Sequence, residues 1–227
     1  MEDLFADRTI RDSRLRRPEL AALGAPHRLI GCDLEEADLS GLDLSGWVFE
    51  QCDLRRARLA GARCERSLWQ SCRGAFADFT GCDLSEARFV ACDFNNAMLR
   101  RSTLEEARFL RCKCTGADFS EVKAITLHIE ETLLIDARLA GLSFRKAQLV
   151  RVDFSRSDLR KCDFRMTSFE ACSLREAQTH GARFEQADLR GADLGGIGLG
   201  DAARFRGATI SREQAAQLLG ELGLKVR

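Results

Sequence analysis

The 227-residue chain has no excess charge of either sign, since 35 lysines and arginines balance 35 aspartates and glutamates. Bulk electrostatics therefore ask for neither nucleic acid nor an anionic membrane as a partner. No apolar run approaches the ~20 residues that a bilayer-spanning helix needs. The opening "MEDLFADRTIRDSR" has no basic segment followed by an apolar stretch, so no signal peptide is expected and the cytoplasm is the expected location. Histidine is scarce, and His27, His128 and His180 each stand far in sequence from a paired ligand or nucleophile. No nucleotide-binding loop is present, because "GGIGLG" at 195–200 precedes no long helix. These absences leave a catalytic centre, a resident metal and a cofactor without candidate residues.

What the chain does have is a period of five. From Leu29 to Leu199 a large apolar residue returns every five positions without losing phase, and 28 of these 35 sites hold Leu or Phe. Two residues before each lies a second regular site, mostly Ala, Cys, Ser, Thr or Val. The residue between them is usually Asp or Arg, as in "ADLSG", "CDLSE", "CDFNN" and "ADLRG". Five matches neither the 3.6 of a helix nor the 2 of a strand. A fixed short period instead means a solenoid, in which each unit buries its apolar face by stacking on copies of itself.

Phase also explains the ten cysteines. Eight (Cys32, Cys52, Cys72, Cys82, Cys92, Cys112, Cys162, Cys172) fall on the small inward site, and Cys64 and Cys114 on the large one. Reduced cysteine packs as a small hydrophobe, so these read as core, in a reducing compartment. Residues 20 apart should stack, which predicts an internal aromatic ladder of Phe49, Trp69, Phe89 and Phe109, resumed at Phe169. Phe144, Phe164 and Phe184 form a second ladder. Gly74, Ala124 and Thr179 underfill large sites.

The ends depart from the pattern. Residues 1–28 read as a degenerate first coil (Phe5, Ile10, Leu15, Leu20) followed by an exposed loop or bulge over 21–28 around Gly24 and Pro26. Residues 29–210 form the solenoid body, with a one-residue phase shift after Leu199 (Phe205, Ile210). In 211–227, Ser211 and Gln214 have capping-box spacing, and Ala215, Leu218, Leu219 and Leu222 line one side of a short helix. Leu224 and Val226 read as a final strand. Such a segment either caps the open end or meets its copy in a second chain.

The pattern resembles the pentapeptide-repeat family. The resemblance implies an all-β, right-handed quadrilateral β-helix of four pentads per coil, with the large residue and the small one before it pointing inward. At ~4.8 Å per coil the body is roughly 40 Å long. The ending "ISREQAAQLLGELGLKV" is similar to that of the Qnr and MfpA-type topoisomerase-protection proteins. That similarity implies a homodimer joined through Ala215, Leu218, Leu219, Leu222, Leu224 and Val226. Its surface would mimic DNA and occupy DNA gyrase or topoisomerase IV, a type II topoisomerase, without itself touching nucleic acid.

The corresponding acidic column is Asp33, Asp53, Asp93, Asp153 and Asp193, interrupted by Arg73 and Lys113. Summed by face, the most acidic side reaches a net charge of about −3, far from the one negative charge per ~1.7 Å of duplex DNA. A generic scaffold binding another protein is the alternative. For it, the least regular stretch, 122–136, offers a contact patch of Ile125, Leu133 and Ile135.

Overall fold

The computed structural model describes residues 8–24, 26–197 and 202–226. Every fifth residue from Gly31 to Gly196 has a positive φ, Thr126 and Gly191 excepted. Each marks a corner. At the corners that follow sides two, three and four, the N–H of the third residue after the large inward one typically returns to its carbonyl (Ala37 to Leu34, 3.0 Å; Ala57 to Leu54, 3.0 Å). This is a β-turn with a left-handed third residue. Four such corners close one coil of 20 residues, and the right-handed β-helix follows.

Coils are held to one another by parallel backbone ladders. Side one is a nine-stranded parallel sheet among the described residues. It comprises β1 (Thr9–Arg11), β2 (Arg28–Ile30), β3 (Val48–Glu50), β4 (Leu68–Gln70), β5 (Arg88–Val90), β6 (Ala107–Leu110), β7 (Leu127–Glu130), β8 (Gln148–Val150) and β9 (Ser168–Glu170). Within it Leu29, Phe49, Trp69, Phe89, Phe109 and Ile129 are successive register partners. Sides two, three and four, centred on Leu34, Leu39 and Leu44 and their equivalents 20 residues on, are joined mainly by single bridges at the residue before the centre.

The interior is the continuous core that the period requires. The described inward sites from Leu29 onward are almost all buried, and all ten cysteines are buried and free. Burial pushes the thiols of Cys114 and Cys172 up and that of Cys162 up to about 12. At these three positions the protonated thiol is thus favoured over the thiolate. Phe49 and Trp69 stack at 4.0 Å and 2°, and Phe89 and Phe109 at 4.6 Å and 11°. The second ladder runs Phe144, Phe164, Phe184 and on to Phe205, each step 5.0–5.1 Å. Gly74 is explained by its neighbour: a Cβ there would lie 2.1 Å from Phe94, whose ring occupies the space a larger residue would have filled.

The N-terminal end differs from the expected coil and loop. Phe5 lies outside the described residues. The first coil is one residue short, since Thr9 pairs with Arg28 and Arg14 with Asp33. Within it a helix, α1 (Arg17–Leu23), occupies most of the stretch read as the end of a coil and the start of a loop. Pro18 sits in its first turn, where the missing N–H costs nothing, and Leu20 points into the core. Arg17 ties the helix to the next coil through the Ser40 carbonyl at 2.7 Å. β2 then begins at Arg28.

At the other end the phase shift is present: Asp188 pairs with Thr209, 21 residues on, and Phe184 stacks on Phe205. Leu199 lies outside the described residues. Helix α2 (Arg212–Glu221) then folds back over the last coil. The Gln214 amide nitrogen donates to the carbonyls of Leu189 (2.7 Å) and Ala192 (2.6 Å). The Ala192 carbonyl is one that a further coil would have bonded, so here the side chain replaces a missing rung, while the Leu189 carbonyl also accepts from the Ala192 N–H at 2.9 Å. Leu218 is buried and, with Leu189, Leu194, Ile197 and Phe205, lines an apolar hollow at this end.

The body contains one fault. Thr126 occupies a corner position but is not left-handed, and no residue at the left-handed corners is Val, Ile or Thr. A branched Cβ disfavours that conformation. The closing bond from Leu127 to Ala124 is absent, though its equivalents at Ala107 and Ala147 are made. The Glu105 carboxylate instead accepts from the N–H groups of Ile125 (2.6 Å) and Thr126 (3.4 Å). The side-four bridges reach Lys123 and resume at Ser143, with none between them, and β7 and β8 share a single register pair. Ile125 is turned out, 86% exposed.

Phe109 lies inside the first ladder, sandwiched by Phe89 and edge-on to Phe119 at 5.8 Å. Phe109→Ala should lower the unfolding free energy by about 3–5 kcal/mol, read from chemical denaturation. A loss below about 1 kcal/mol would contradict the packing described.

Candidate interaction surfaces

Outward residues repeat at 20 as well, so the surface is a set of vertical columns. The aspartates before the large sites cap the next corner. Asp38 accepts from the Ser40 N–H at 3.0 Å, Asp78 from Thr80 at 2.9 Å, and Asp118 from Ser120 at 2.9 Å. This Asx arrangement explains the Asp of the repeat without any ligand. Many of the same carboxylates also meet arginines. Asp158, Asp163 and Asp188 are bonded by Arg160, Arg165 and Arg190, two residues on. Asp43 with Arg63 and Asp136 with Arg156 pair one coil apart.

The proposed acidic column lies on side two. Arg14, Asp33, Asp53, Arg73, Asp93, Lys113, Leu133, Asp153, Ser173 and Asp193 follow one another in register. Asp33 meets Arg14 at 3.4 Å, Asp53 meets Arg55 at 2.7 Å, and Asp193 meets Arg175 at 2.9 Å. Asp93 and Asp153 cap the backbone at Asn95 and Ser155. The column is broken by cations and by Leu133, and it does not form an anionic stripe.

The patch of Ile125, Leu133 and Ile135 is not one surface. Leu133 and Ile135 are neighbours on side two. Ile125 stands at the corner between sides four and one, ten residues back in a coil of 20, which is the diagonally opposite corner. Ile135 is only half-exposed.

The C-terminal set divides. Leu218 is buried under the helix, and Ala215 is half-buried, so neither belongs to an outer surface. Leu219, Leu222, Leu224 and Val226 are exposed, together with Ile210 beside them. Residues 224–226 run on past the helix with no ladder partner among the described residues.

Side four carries charges that are sorted by sign along the rod. Its N-terminal half carries Asp43, Glu65, Asp83, Glu86, Glu105 and Glu106 against Arg63 and Arg66. Its C-terminal half carries Lys123, Arg145, Lys146, Arg165 and Arg183 against Asp163 and Glu185. Summed over the whole side these nearly cancel. The sign changes at the fault beside Ile125.

The histidines take structural positions: His128 bonds Glu106 at 3.0 Å, and His27 packs on Trp47 at 5.3 Å. Among the described residues no group of three or more His, Cys, Asp or Glu is placed to hold a metal ion, and no helix is long and apolar enough to cross a membrane.

Comparison with known families matches the Pentapeptide repeats in eight copies over residues 32–63, 75–109, 87–123, 130–165 and 167–197. The chain belongs to the pentapeptide-repeat family. No curated protein matches it. Among solved structures, this pentapeptide-repeat protein is similar to a trypsin-treated variant of QnrB1, described as a plasmid-mediated fluoroquinolone resistance protein. The two share 20% identity over 96% of this chain and 97% of the other, with a TM-score of 0.56. Full-length QnrB1 aligns at 21% identity, 95% and 97% coverage and TM-score 0.44. HetL, from the cyanobacterium Nostoc, aligns at 20%, 84% and 88%, with TM-score 0.39. At these identities the likeness concerns the fold alone.

Hydrogen bonds from Arg160, Arg165 and Arg190 hold Asp158, Asp163 and Asp188 below the usual carboxylate range. Depressed folded-state values stabilise the native state above the unfolded value of about 3.9, and that contribution is lost as pH falls through the folded values. The melting temperature should therefore be nearly flat from pH 7 to about 5 and fall below about pH 4. A steep fall already between pH 7 and 5 would assign acid sensitivity to other groups.

Proposed function

We propose that this pentapeptide-repeat rod is a non-catalytic binding protein whose partner is a type II topoisomerase, DNA gyrase or topoisomerase IV. It modulates that enzyme, or protects it from quinolones or natural gyrase poisons, by presenting a local substitute for duplex DNA. The observation that carries this reading is the acidic half of side four. There, Glu65, Asp83 and Glu86 have no basic side chain within ion-pairing distance among the described residues. The carboxylates recur at the coil spacing of ~4.8 Å on a stiff backbone. Four coils span ~14 Å, over which duplex DNA carries roughly eight charges. Six carboxylates against two arginines give a partial match, confined to one face.

The exposed patch of Leu219, Leu222, Leu224 and Val226 supports a homodimer joined end to end. Apolar residues on so short a tail gain most by being covered by their own copies, and the unpaired stretch 224–226 gains a strand partner in the same step. A second reading is a scaffold for some other protein. It is favoured by the Asp–Arg pairing that leaves side three close to neutral and holds side two to a net charge of only about −3.

Gyrase supercoiling with the protein titrated in, with and without a fluoroquinolone or a peptide poison, tests the first reading. Rescue is expected, with Glu86→Lys and Glu106→Lys together raising the concentration needed by about tenfold or more. No effect on supercoiling in any arm would leave the scaffold reading. For the dimer, Leu222→Asp with Leu224→Asp should halve the mass by light scattering at 1 M salt and keep the β-helix circular dichroism. Unchanged mass would overturn the C-terminal contact.

A further inference from the structure

Side four is self-complementary. A two-fold axis lying in the contact plane, at right angles to the rod and midway between the levels of Leu104 and Ala124, reverses the order of coils and leaves each column facing itself. Under that operation Asp43 comes opposite Arg183 of the copy, Arg63 opposite Asp163, Glu65 opposite Arg165, and Glu86 opposite Lys146. In the outward columns of side four no like charges come face to face. The remaining charged residues of these columns (Asp83, Glu105, Glu106, Lys123, Arg145, Glu185 and Arg66) meet Ser143, Ile125, Thr126, Thr103, Ser85, Ser45 and Met166. Residues 20 apart are register partners along side four on both sides of the fault, from Asp43 to Lys123 and from Ser143 to Arg183, so the pairing is a statement about geometry as well as sequence.

A second observation falls at the same place. The faulted corner at Thr126, with Ile125 86% exposed, lies half a coil spacing from this axis. The two copies of Ile125 would stand about one coil spacing, ~4.8 Å, apart along the rods. Each Ile125 comes opposite Glu105 of the copy, with Thr103 and Thr126 on the same two levels and the charge pairs on the levels beyond. The Glu105 carboxylate, which holds the N–H groups of Ile125 and Thr126, keeps the isoleucine turned outward.

We propose that side four is a docking surface for a second copy of this chain, laid antiparallel and side by side. The contact is isologous and spans eight levels, ~34 Å. Glu86 faces Lys146 of the other copy, and neither has an ion-pair partner in its own chain among the described residues, so the strength of the contact depends on salt, unlike the apolar contact at the C-terminus. Pairing covers the acidic half of side four, so self-pairing and occupation of a basic partner surface exclude each other. The pairing is measured without any topoisomerase and stands or falls separately from that reading.

The full-length Leu222→Asp, Leu224→Asp variant removes the end contact and isolates this one. Sedimentation and small-angle scattering at about 0.02 M salt should show a dimer whose maximum dimension is nearly that of one rod. It should dissociate at about 1 M salt, where the screening length is ~3 Å. Adding Glu86→Lys should raise the dissociation constant at least about tenfold, because each dimer then holds two Lys–Lys oppositions. Adding Lys146→Glu to that should restore it, and Ile125→Asp should weaken pairing on its own. A monomer at 200 μM in low salt, a dimer of doubled length, or pairing indifferent to Glu86→Lys would overturn the proposal.

Discussion

A left-handed residue at every fifth position is the constraint from which this molecule is built. It turns the chain through a corner without a loop, and four corners close a coil. For residues other than glycine the conformation costs roughly 1–2 kcal/mol each, and here it is held by Arg, Glu, Lys, Asn and others as well as by glycine. The cost is offset because each corner amide finds a carbonyl in the coil above, as Arg56 does at Ala75 (3.0 Å) and Glu86 at Glu105 (2.7 Å). Where the side chain is branched at Cβ, the corner fails. Thr126 shows the consequence in full: lost closure, a missing rung, an expelled isoleucine and a carboxylate recruited to satisfy the backbone.

Because coils are of equal length, everything inside is one-dimensional. A thin rod cannot gather a globular core, so stability comes from like residues stacking on like, ring on ring and thiol on thiol. Gaps are filled from one level away, as Phe94 fills the space at Gly74. The ends lack a neighbouring coil, and each uses a helix. At the start Leu20 of α1 closes the core. At the finish Leu218 and the Gln214 amide of α2 supply the apolar and polar halves of a missing coil.

The same register governs the surface. Aspartate is needed at its site to cap a corner, and arginine one coil or two residues away neutralises it. The repeat therefore produces carboxylates in quantity without producing a uniformly negative face. Departures from neutrality arise where the partner position holds Ser, Thr or Glu instead of arginine. On side four those departures are sorted by sign along the rod.

The period, the inward sites, the fate of all ten cysteines and both aromatic ladders were legible in the sequence. These depend on phase alone, and a solenoid turns phase directly into position. The capping box of α2 was legible because its contacts are local. Helix α1 was hidden by Leu15 and Leu20, which keep the five-residue spacing while the backbone between them changes conformation. Whether Leu218 faced outward or into the rod, and whether Ile125 and Ile135 met, were decided only by the tertiary structure. The first depends on an empty apolar hollow at the last coil, the second on which corners of a closed square the residues occupy. Neither is a property of neighbouring residues in the chain; both follow from how the coil closes and where the stack ends.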